Sequence, residues 1–528
     1  MEWWCPRQLD ASPVLTRLVD PDGAAVGFHG RTGTARSYLH GTFVLRAELE
    51  GPESLIELTD TVWQGRIVRR VRVLRGPAPV EVAVWPGPAR QVSAWSEGVA
   101  FDGVLVRCGL PFTSGPIAVA STTLDTGEGL VITIDPPGGA GDLLSLEAAL
   151  VVEDRAVRAW RTVADRVDVG GRWADAAARS ALVVHALGAH APVLAPVTSL
   201  PRVVGGERNT DGRVVAPTVV SAWMETAAAI GLTEEADAAA TWLAGALDQE
   251  PPLPLALDLD GGPPASELVT PLRGWMRSQP VVTGSNAGER ISVEPAAAAV
   301  AALAPTAAAP IHRIALHADW LAEHWAAPDA SIWGLPPRDR HWTSARLAVR
   351  AALDVAATAA RRRNPLDLAA ARWHAAAREI EDALLALARP ALPSGVERAT
   401  DASIVRLAGL GPWAPDDEVV RATISSVATT LGDGLWIYPY SPDLDDGLEG
   451  HEPPSVVATL WLARALARTG RWEEAHARVE AAVDLAGPLH LLPESVDVPS
   501  RGPLGNRPSA AAHVALIGAA LELAHAPA

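Results

Sequence analysis

Three polar stretches carry the residue types that can hold a polyhydroxylated ligand. Residues 198–213 read Thr-Ser-Leu-Pro-Arg-Val-Val-Gly-Gly-Glu-Arg-Asn-Thr-Asp-Gly-Arg. Residues 328–346 bring Asp329, Trp333, Asp339, Arg340, His341 and Trp342, and residues 443–454 together with 491–508 bring Glu452 and Glu494. The stretches carry Arg and carboxylates, and 328–346 adds two Trp, the groups that line sugar pockets: aromatic rings pack on the apolar face of a sugar and charged groups bind its hydroxyls. His341 adds a side chain that titrates near neutrality. Plainer roles stand beside these. Asp211 and Arg213 also suit an ion pair that fixes their own loop, and Asp329, Asp339 and His341 suit loop-ordering or surface positions. Glu452 suits a brace as well as a pocket carboxylate. Most of the 19 Trp suit core packing, with Trp333 and Trp342 the candidates to line a cavity.

Other chemistries lack their residues. The chain has no Lys, so all 44 basic residues are Arg, which excludes Schiff-base lysine chemistry and a P-loop lysine. Cys5 and Cys108 are too few for a disulfide scaffold or a four-cysteine zinc site. There is no Gly-x-Ser-x-Gly elbow, no His-Glu-x-x-His helix and no dinucleotide fingerprint between a strand and a helix. His185, His312, His317 and His324 lie in helical stretches without a carboxylate at metal-ligand spacing, so neither a metal nor another cofactor is expected. A net charge of −18 and a pI near 5.2 disfavour nucleic acid as a partner. The amino terminus shows no basic segment followed by an apolar one. The most apolar region, 296–311, is broken by Pro305 and Pro310. The expectation is a cytoplasmic, unanchored protein that takes a small-molecule or carbohydrate-like ligand, with no nucleic-acid or membrane partner; oligomeric state is not encoded in these features.

The elements that must position these loops change character along the chain. From about 24 to 150 apolar residues recur with period two, as in Val80, Val82 and Val84 between Glu81, Ala83 and Trp85, and Gly/Pro turns punctuate them. This predicts an antiparallel β domain. From about 153 the period becomes helical and Ala-rich, in 174–188, 219–231, 234–247, 345–361, 367–388, 456–469, 473–486 and 509–524. Strands first and helices afterwards predict two domains, 1–152 and 153–528. Helix pairs closing into a ring would bring the loops at one end to a single pocket.

Several of the quoted stretches resemble glycoside hydrolase family 15, the inverting glucoamylases and their bacterial trehalase-like relatives. The likeness runs through Gly171-Arg172-Trp173, Arg179-Ser180-Ala181-Leu182, Thr198-Ser199-Leu200-Pro201 and Gly205-Gly206-Glu207-Arg208-Asn209. It continues without a gap to Glu235-Ala236. Pro328-Asp329-Ala330-Ser331-Ile332-Trp333 with Arg340-His341-Trp342-Thr343 resembles the loop of the family's general acid. Asp446-Gly447-Leu448 with Gly450 and Glu452 resembles another pocket loop. Leu492-Pro493-Glu494 with Leu504-Gly505-Asn506, Pro508 and His513 resembles the loop of the general base. The resemblance implies an N-terminal β-sandwich followed by an (α/α)6 barrel, in agreement with the periodicities, and gives Glu494 the part of the base.

Inversion at a glycosidic bond needs two carboxyl groups roughly 6.5–9.5 Å apart, one protonated and one ionised. At the place the resemblance gives to the acid, directly after Ile332-Trp333, stands Gly334. The family's sugar clamps are replaced too: Thr210-Asp211-Gly212-Arg213-Val214 stands for Trp-Asp-Tyr-Arg-Tyr, and Ala216-Pro217-Thr218-Val219 for Trp-Leu-Arg-Asp. Pro336-Pro337 stands for Arg-Gly, and Pro453-Pro454-Ser455 for Gly-Ala-Phe. An unpaired substrate hydroxyl costs about 1–3 kcal/mol, so ordinary glucosidase or trehalase activity is expected to be weak or lost. Asp329, Asp339 and His341 bracket Gly334 as candidate replacement acids, and Asp211, Arg213, Trp333, Arg340, Trp342 and Glu452 are candidate ligand contacts. Two readings follow: a divergent enzyme acting on a modified sugar, glycoside or secondary metabolite with Glu494 as base, or a catalytically inactive member that binds a ligand or regulates a partner.

Overall fold

The computed structural model describes residues 1–6, 8–88, 92–113, 115–139, 141–336, 340–394 and 400–525. They form two compact units, Met1–Arg166 with Leu272–Trp275, and Val167–Pro271 with Met276–Ala528.

The first unit is a β-sandwich. Eleven strands run β1 Ala25–Phe28, β2 Thr32–Tyr38, β3 Leu45–Glu50, β4 Leu55–Trp63, β5 Arg66–Arg75, β6 Ala78–Trp85, β7 Ser93–Trp95, β8 Gly98–Phe101, β9 Val104–Arg107, β10 Ala118–Leu124 and β11 Gly129–Asp135. They make an antiparallel sheet ordered β1-β6-β10 and an eight-stranded antiparallel sheet ordered β2-β3-β4-β5-β11-β9-β8-β7. Val80, Val82 and Val84 of the small sheet and Ile56, Val71, Ile132 and Ile134 of the large one share a single core. Burial of these alternate residues is the main driving term for such a sandwich.

The second face of the large sheet explains where the unit ends. Helix α1, Leu146–Ala164, is capped by Ser145, whose hydroxyl accepts from the Ala148 N–H. It lays Ala149 and Val152 against Val68 and Val131, and Glu153 pairs with Arg70 at 2.9 Å. The helical unit therefore begins at Val167, not at residue 153. It also explains why residues 131–135 are buried without alternation, since both faces of β11 are covered.

The helical unit is an (α/α)6 barrel. Its helices are α2 Ala174–Ala186, α3 Pro217–Ala229, α4 Thr233–Ala246, α5 Glu294–Leu303, α6 Ile311–His324, α7 Thr343–Arg363, α8 Leu368–Leu387, α9 Leu407–Leu410, α10 Glu418–Thr430, α11 Val456–Arg468, α12 Trp472–Ala486 and α13 Ala510–Leu523. An inner ring runs α3, α5, α7, the 3-10 turn Ala402–Arg406 with α9, α11 and α13, and α13 closes it onto α3. The outer helices α2, α4, α6, α8, α10 and α12 alternate with these in the chain. Sequence pattern sorts the two rings: α13 and α5 are buried almost all round, whereas α8 buries only the stripe Ala370, Trp373, Ala377, Ile380 and Leu384. Because inner and outer helices alternate, every inner helix starts at the same end. The segments leading into α3, α7, α11 and α13 are the polar stretches 198–213, 328–342, 443–454 and 491–508.

Candidate active site

The base-side segment is fastened from both flanks. Ser455 and Ser509 cap α11 and α13 by accepting from the N–H groups of Ala458 and Ala512. Between these caps, the Glu494 carbonyl accepts from Val456 N–H (3.1 Å) and the Ser509 N–H donates to the Leu492 carbonyl (2.8 Å). His513 in α13 takes the Leu492 N–H at Nε2 (3.0 Å), which leaves Nδ1 to donate to Ser180 Oγ (2.9 Å). Burial, with Arg179 close by, pushes this imidazole down to about 3, so it is neutral at pH 7 and can hold that tautomer.

The Glu494 carboxylate accepts the Asn506 N–H at Oε2 (3.0 Å), and Asn506 Nδ2 lies 3.5 Å from Oε1. Asn506 is fully buried and ties two loops together: its Oδ1 accepts from Leu200 N–H (3.1 Å) and its Nδ2 donates to the Thr210 carbonyl (2.9 Å). Gly505 makes the approach possible. It sits at φ +76°, and a Cβ there would lie 2.6 Å from Glu494 Oε2 and 3.2 Å from Arg202 Cγ. Burial pushes the Glu494 carboxyl above its ordinary value, opposed by the Arg202 charge and the Asn506 bonds.

Next to Glu494 lies a balanced charge cluster. Arg208, 1 % exposed, forks onto Asp446 at 2.7 and 3.1 Å and reaches Glu452 at 3.3 Å. It also donates to the carbonyls of Leu448, Glu449 and Gly450. Arg202 meets the other Glu452 oxygen at 3.5 Å, and Tyr440 donates to Asp446 at 2.7 Å. Burial raises Asp446, but the bonds from Arg208 and Tyr440 outweigh it and hold the carboxyl below its ordinary range. Glu452 is thus both a brace and a wall group of the loop mouth.

The 328–346 segment is built differently. Asp329 is 4 % exposed and turned inward, accepting from Val293 N–H (2.7 Å), Ser331 N–H (2.6 Å) and Ser292 Oγ (3.3 Å). Burial pushes its carboxyl up to about 6, with Glu294 adding to the rise. Trp342 is 2 % exposed and donates to the Asp329 carbonyl (2.9 Å), so it belongs to the core and not to a cavity wall. Trp333, half-buried, donates to Asp401 at 2.5 Å and packs on Trp461 with ring centroids 5.6 Å apart. Asp401 is fully buried; burial raises it, opposed by Ser403 and Trp333. Glu294 pairs with Arg406 at 2.6 Å, and Arg406 lies over Trp461.

Gly334 itself is at φ +66°, and its carbonyl accepts from the Arg290 guanidinium. A Cβ there would touch Leu255 Cδ1 at 3.4 Å and Arg290 Cδ at 3.6 Å. Arg340 donates to the Asp445 carbonyl (3.0 Å), and a Cβ on Gly447 would lie 3.7 Å from Pro336, so this loop and 443–454 meet. His341 is half-buried, and its Nδ1 has no hydrogen-bond partner among the described residues. Asp339 lies outside the described residues. Asp211 and Arg213 form a buried pair at 2.7 and 2.9 Å, with Asp211 also accepting from Gly284 N–H (2.9 Å), and so brace their own loop.

The structure therefore brings Glu494, Glu452, Arg340 and the Gly334 loop to one end of the barrel, while Asp329, Trp342, Asp211 and Arg213 are committed to holding it. The family model for glycosyl hydrolases family 15 matches residues 222–521, more than half of the chain. The chain belongs to glycoside hydrolase family 15. Among similar proteins, a trehalase of Mycolicibacterium smegmatis is 28% identical, covering 100% of this chain and 88% of that protein. A trehalase of Thermoplasma acidophilum is 28% identical over 70% of this chain and 65% of its own length. A bacterial glucoamylase solved with acarbose superposes with a TM-score of 0.71 at 11% identity, covering 96% of this chain and 89% of that one, which is a likeness of fold.

Sequence reasoning gave no role to Arg202, Arg208, Asn506 or Asp401. Arg208 and Asn506 lie inside the family 15 motifs quoted above, so their positions were visible and only their partners were hidden. Asp401 has no local signal, because its partner Trp333 lies 68 residues away. Among the described residues no group of His, Cys, Asp and Glu is arranged to hold a metal ion, and no helix is long and apolar enough to cross a membrane.

Proposed function

We propose that this protein cleaves the anomeric bond of a modified sugar or glycoside, with Glu494 as general base and a leaving group that departs without being protonated. The observation that carries the reading is the contrast within one loop end: Glu494 is kept, fastened by Asn506 and raised by burial, while position 334 has no side chain. A raised carboxyl is the stronger base. In the step, water oxygen attacks the anomeric carbon and its proton passes to the Glu494 carboxylate. The anomeric bond breaks, and the leaving group keeps the electron pair.

The test is fluoride release from α-glucosyl fluoride, whose leaving group needs no acid. The wild-type protein is expected to release fluoride, Glu494→Gln to do so on the order of 10²-fold or more slowly, and trehalose and maltose to stay intact. Equal release by Glu494→Gln removes the base. Trehalose cleavage that depends on Glu494 would mean that a proton donor exists elsewhere, and His341, with its free Nδ1, is then the group to replace first. The second reading, a family member that binds without turnover, is favoured by one observation: Asp329 and Asp401, the buried carboxyls nearest the Gly334 loop, are both spent on N–H and O–H donors of the scaffold. Absence of turnover with this fluoride and with the fluorides of modified sugars alike would select it.

A further inference from the structure

Gly505 leaves room for more than the base. A Cβ at this position would lie 2.6 Å from Glu494 Oε2 and 3.2 Å from Arg202 Cγ, so a carboxylate and the stem of a guanidinium border the same missing side chain. The Gly505 N–H donates to the Pro201 carbonyl at 2.9 Å, which fixes the backbone that carries Arg202. The head of Arg202 is held by charge alone. Its Nε lies 3.5 Å from Glu452, and this buried N–H has no hydrogen-bond partner among the described residues. Arg208 is held quite differently, by two bonds to Asp446 and by three loop carbonyls.

A buried donor without a partner costs stability, about 1–3 kcal/mol. Bracing the loop therefore explains Arg208 and not Arg202. What Arg202 brings is a positive charge beside Glu494, in surroundings where water screens it little. Glu452 in turn draws on that charge, from the opposite stretch 443–454. The other ionisable groups around the base are turned elsewhere. Arg208, Asp446 and Tyr440 bond to one another and to Glu452, and Asp211 pairs with Arg213. Asp497 accepts from Ser500, His451 donates to the Pro442 carbonyl, and the neutral His513 bridges Leu492 and Ser180.

We propose that Arg202 and Glu452 are positioning residues that act through Glu494 as an opposed pair, Arg202 favouring the ionised carboxylate and Glu452 opposing it, and so set the pH at which Glu494 becomes a base. The direction of each influence agrees with the charges: Arg202 lowers the Glu494 carboxyl against the rise caused by burial, and Glu452 adds to that rise. The inference rests on the proposed function only for the passage from the charge of Glu494 to turnover.

The pH profile of fluoride release from α-glucosyl fluoride is the first test, because turnover needs the ionised base and falls on the acid side as Glu494 takes up its proton. Arg202→Met keeps the stem and removes the charge. Its acid limb is expected to move to higher pH, so that release on that limb is about tenfold slower than in the wild type at the same pH, with the plateau retained. Arg202→Lys keeps the charge and is expected to restore the wild-type limb. Glu452→Gln is expected to move the limb the other way, to lower pH. A merely structural role would lower the plateau and leave the limb in place. If Arg202→Met fails to fold, the opposite displacement in Glu452→Gln decides.

The second test needs no turnover. The unfolding free energy of each protein is compared with that of its Glu494→Gln counterpart from about pH 4 to about pH 8. Because burial raises the folded carboxyl, Glu494 favours the folded state most at low pH, and its contribution declines as pH rises through the folded value. That decline is expected at higher pH in Arg202→Met and at lower pH in Glu452→Gln. For a protein that turns over no glycosyl fluoride, this readout alone decides, so failure of the proposed function and failure of the inference are distinguishable. Displacements absent in both variants, displacements in the same direction, or a displacement by Arg202→Lys as large as that by Arg202→Met each overturn the inference.

Discussion

Two polar clusters lie under the loops of the barrel, and they handle buried charge in opposite ways. Around Glu494, two guanidinium groups, Arg202 and Arg208, serve Asp446, Glu452 and Glu494. Around the Gly334 loop, Arg406 pairs with Glu294, while Asp329 and Asp401 form no ion pair among the described residues and accept from N–H and O–H groups. Burial raises Asp329 and Asp401 on this side and Glu494 on the other, whereas the bonds from Arg208 and Tyr440 hold Asp446 low. The base side keeps Glu494 at its edge, held by the Asn506 N–H. The other side has turned its carboxyl groups inward, where they satisfy backbone and hydroxyl donors. The comparison teaches that carboxylate content alone does not mark a catalytic pair; the direction in which each carboxylate spends its hydrogen bonds does.

The largest effect that would sharpen this contrast comes from Arg208. Replacing it with Met keeps its length but strips a buried cation from Asp446 and Glu452 and leaves the carbonyls of residues 448–450 without a donor. Removing one partner of a buried ion pair costs about 3–5 kcal/mol. Denaturant unfolding of Arg208→Met is expected to show a loss of that order, and fluoride release should fall with it because the loop bearing Glu452 loses its anchor. A change below about 1 kcal/mol would break the picture of a base side braced by its guanidinium groups.

On the other side the prediction concerns pH. A carboxyl raised from 3.8 to about 6 is protonated in the folded protein while the unfolded chain has already released its proton. Asp329 therefore favours the folded state most below pH 4, and its contribution declines as pH rises through 6. Two units correspond to about 3 kcal/mol. The stability difference between wild type and Asp329→Asn, measured by denaturant unfolding, is expected to shift against the wild type by about that amount from pH 4 to pH 7. A difference flat across this range would show that Asp329 titrates as an ordinary carboxyl, and the contrast between the clusters would lose one of its two raised groups.

Much of the scaffold was legible because it is repetitive. The Ala/Leu periods at 174–188, 345–361, 367–388 and 509–524 correspond to α2, α7, α8 and α13 with ends displaced by one or two residues. The inner element at 402–410 was not legible. It is a 3-10 turn followed by a single helical turn, too short to display a period, and it is recognisable only from the neighbours that enclose it. The domain border was misplaced for a similar reason, since the period of α1 announces a helix but not that its apolar stripe is meant for a sheet. For the site, the loops and Glu494 were visible as types and spacing. Whether Asp211, Asp329 or Trp342 faced inward was not, because that depends on donors such as Gly284 and Val293, which lie 73 and 36 residues away from the carboxylates they serve.

The smallest expected effect is also the most direct comparison, since the two sides each carry a glycine in the left-handed region. At Gly334, φ is +66° and a methyl group would meet its neighbours at 3.4 and 3.6 Å, which is ordinary contact. Gly334→Ala should therefore cost only the backbone term, about 1–2 kcal/mol, and leave fluoride release within a factor of a few. At Gly505, φ is +76° and the same methyl would lie 2.9 Å from Glu494 Cβ as well as 2.6 Å from Oε2. The backbone cost is similar, but the carboxylate must also move off its Asn506 donor. Gly505→Ala is thus expected to exceed Gly334→Ala by about 1–3 kcal/mol in unfolding free energy and to suppress fluoride release nearly as far as Glu494→Gln does. Equal penalties for the two alanines, with turnover untouched in both, would mean that the close packing of Gly505 against Glu494 has no part in holding the base.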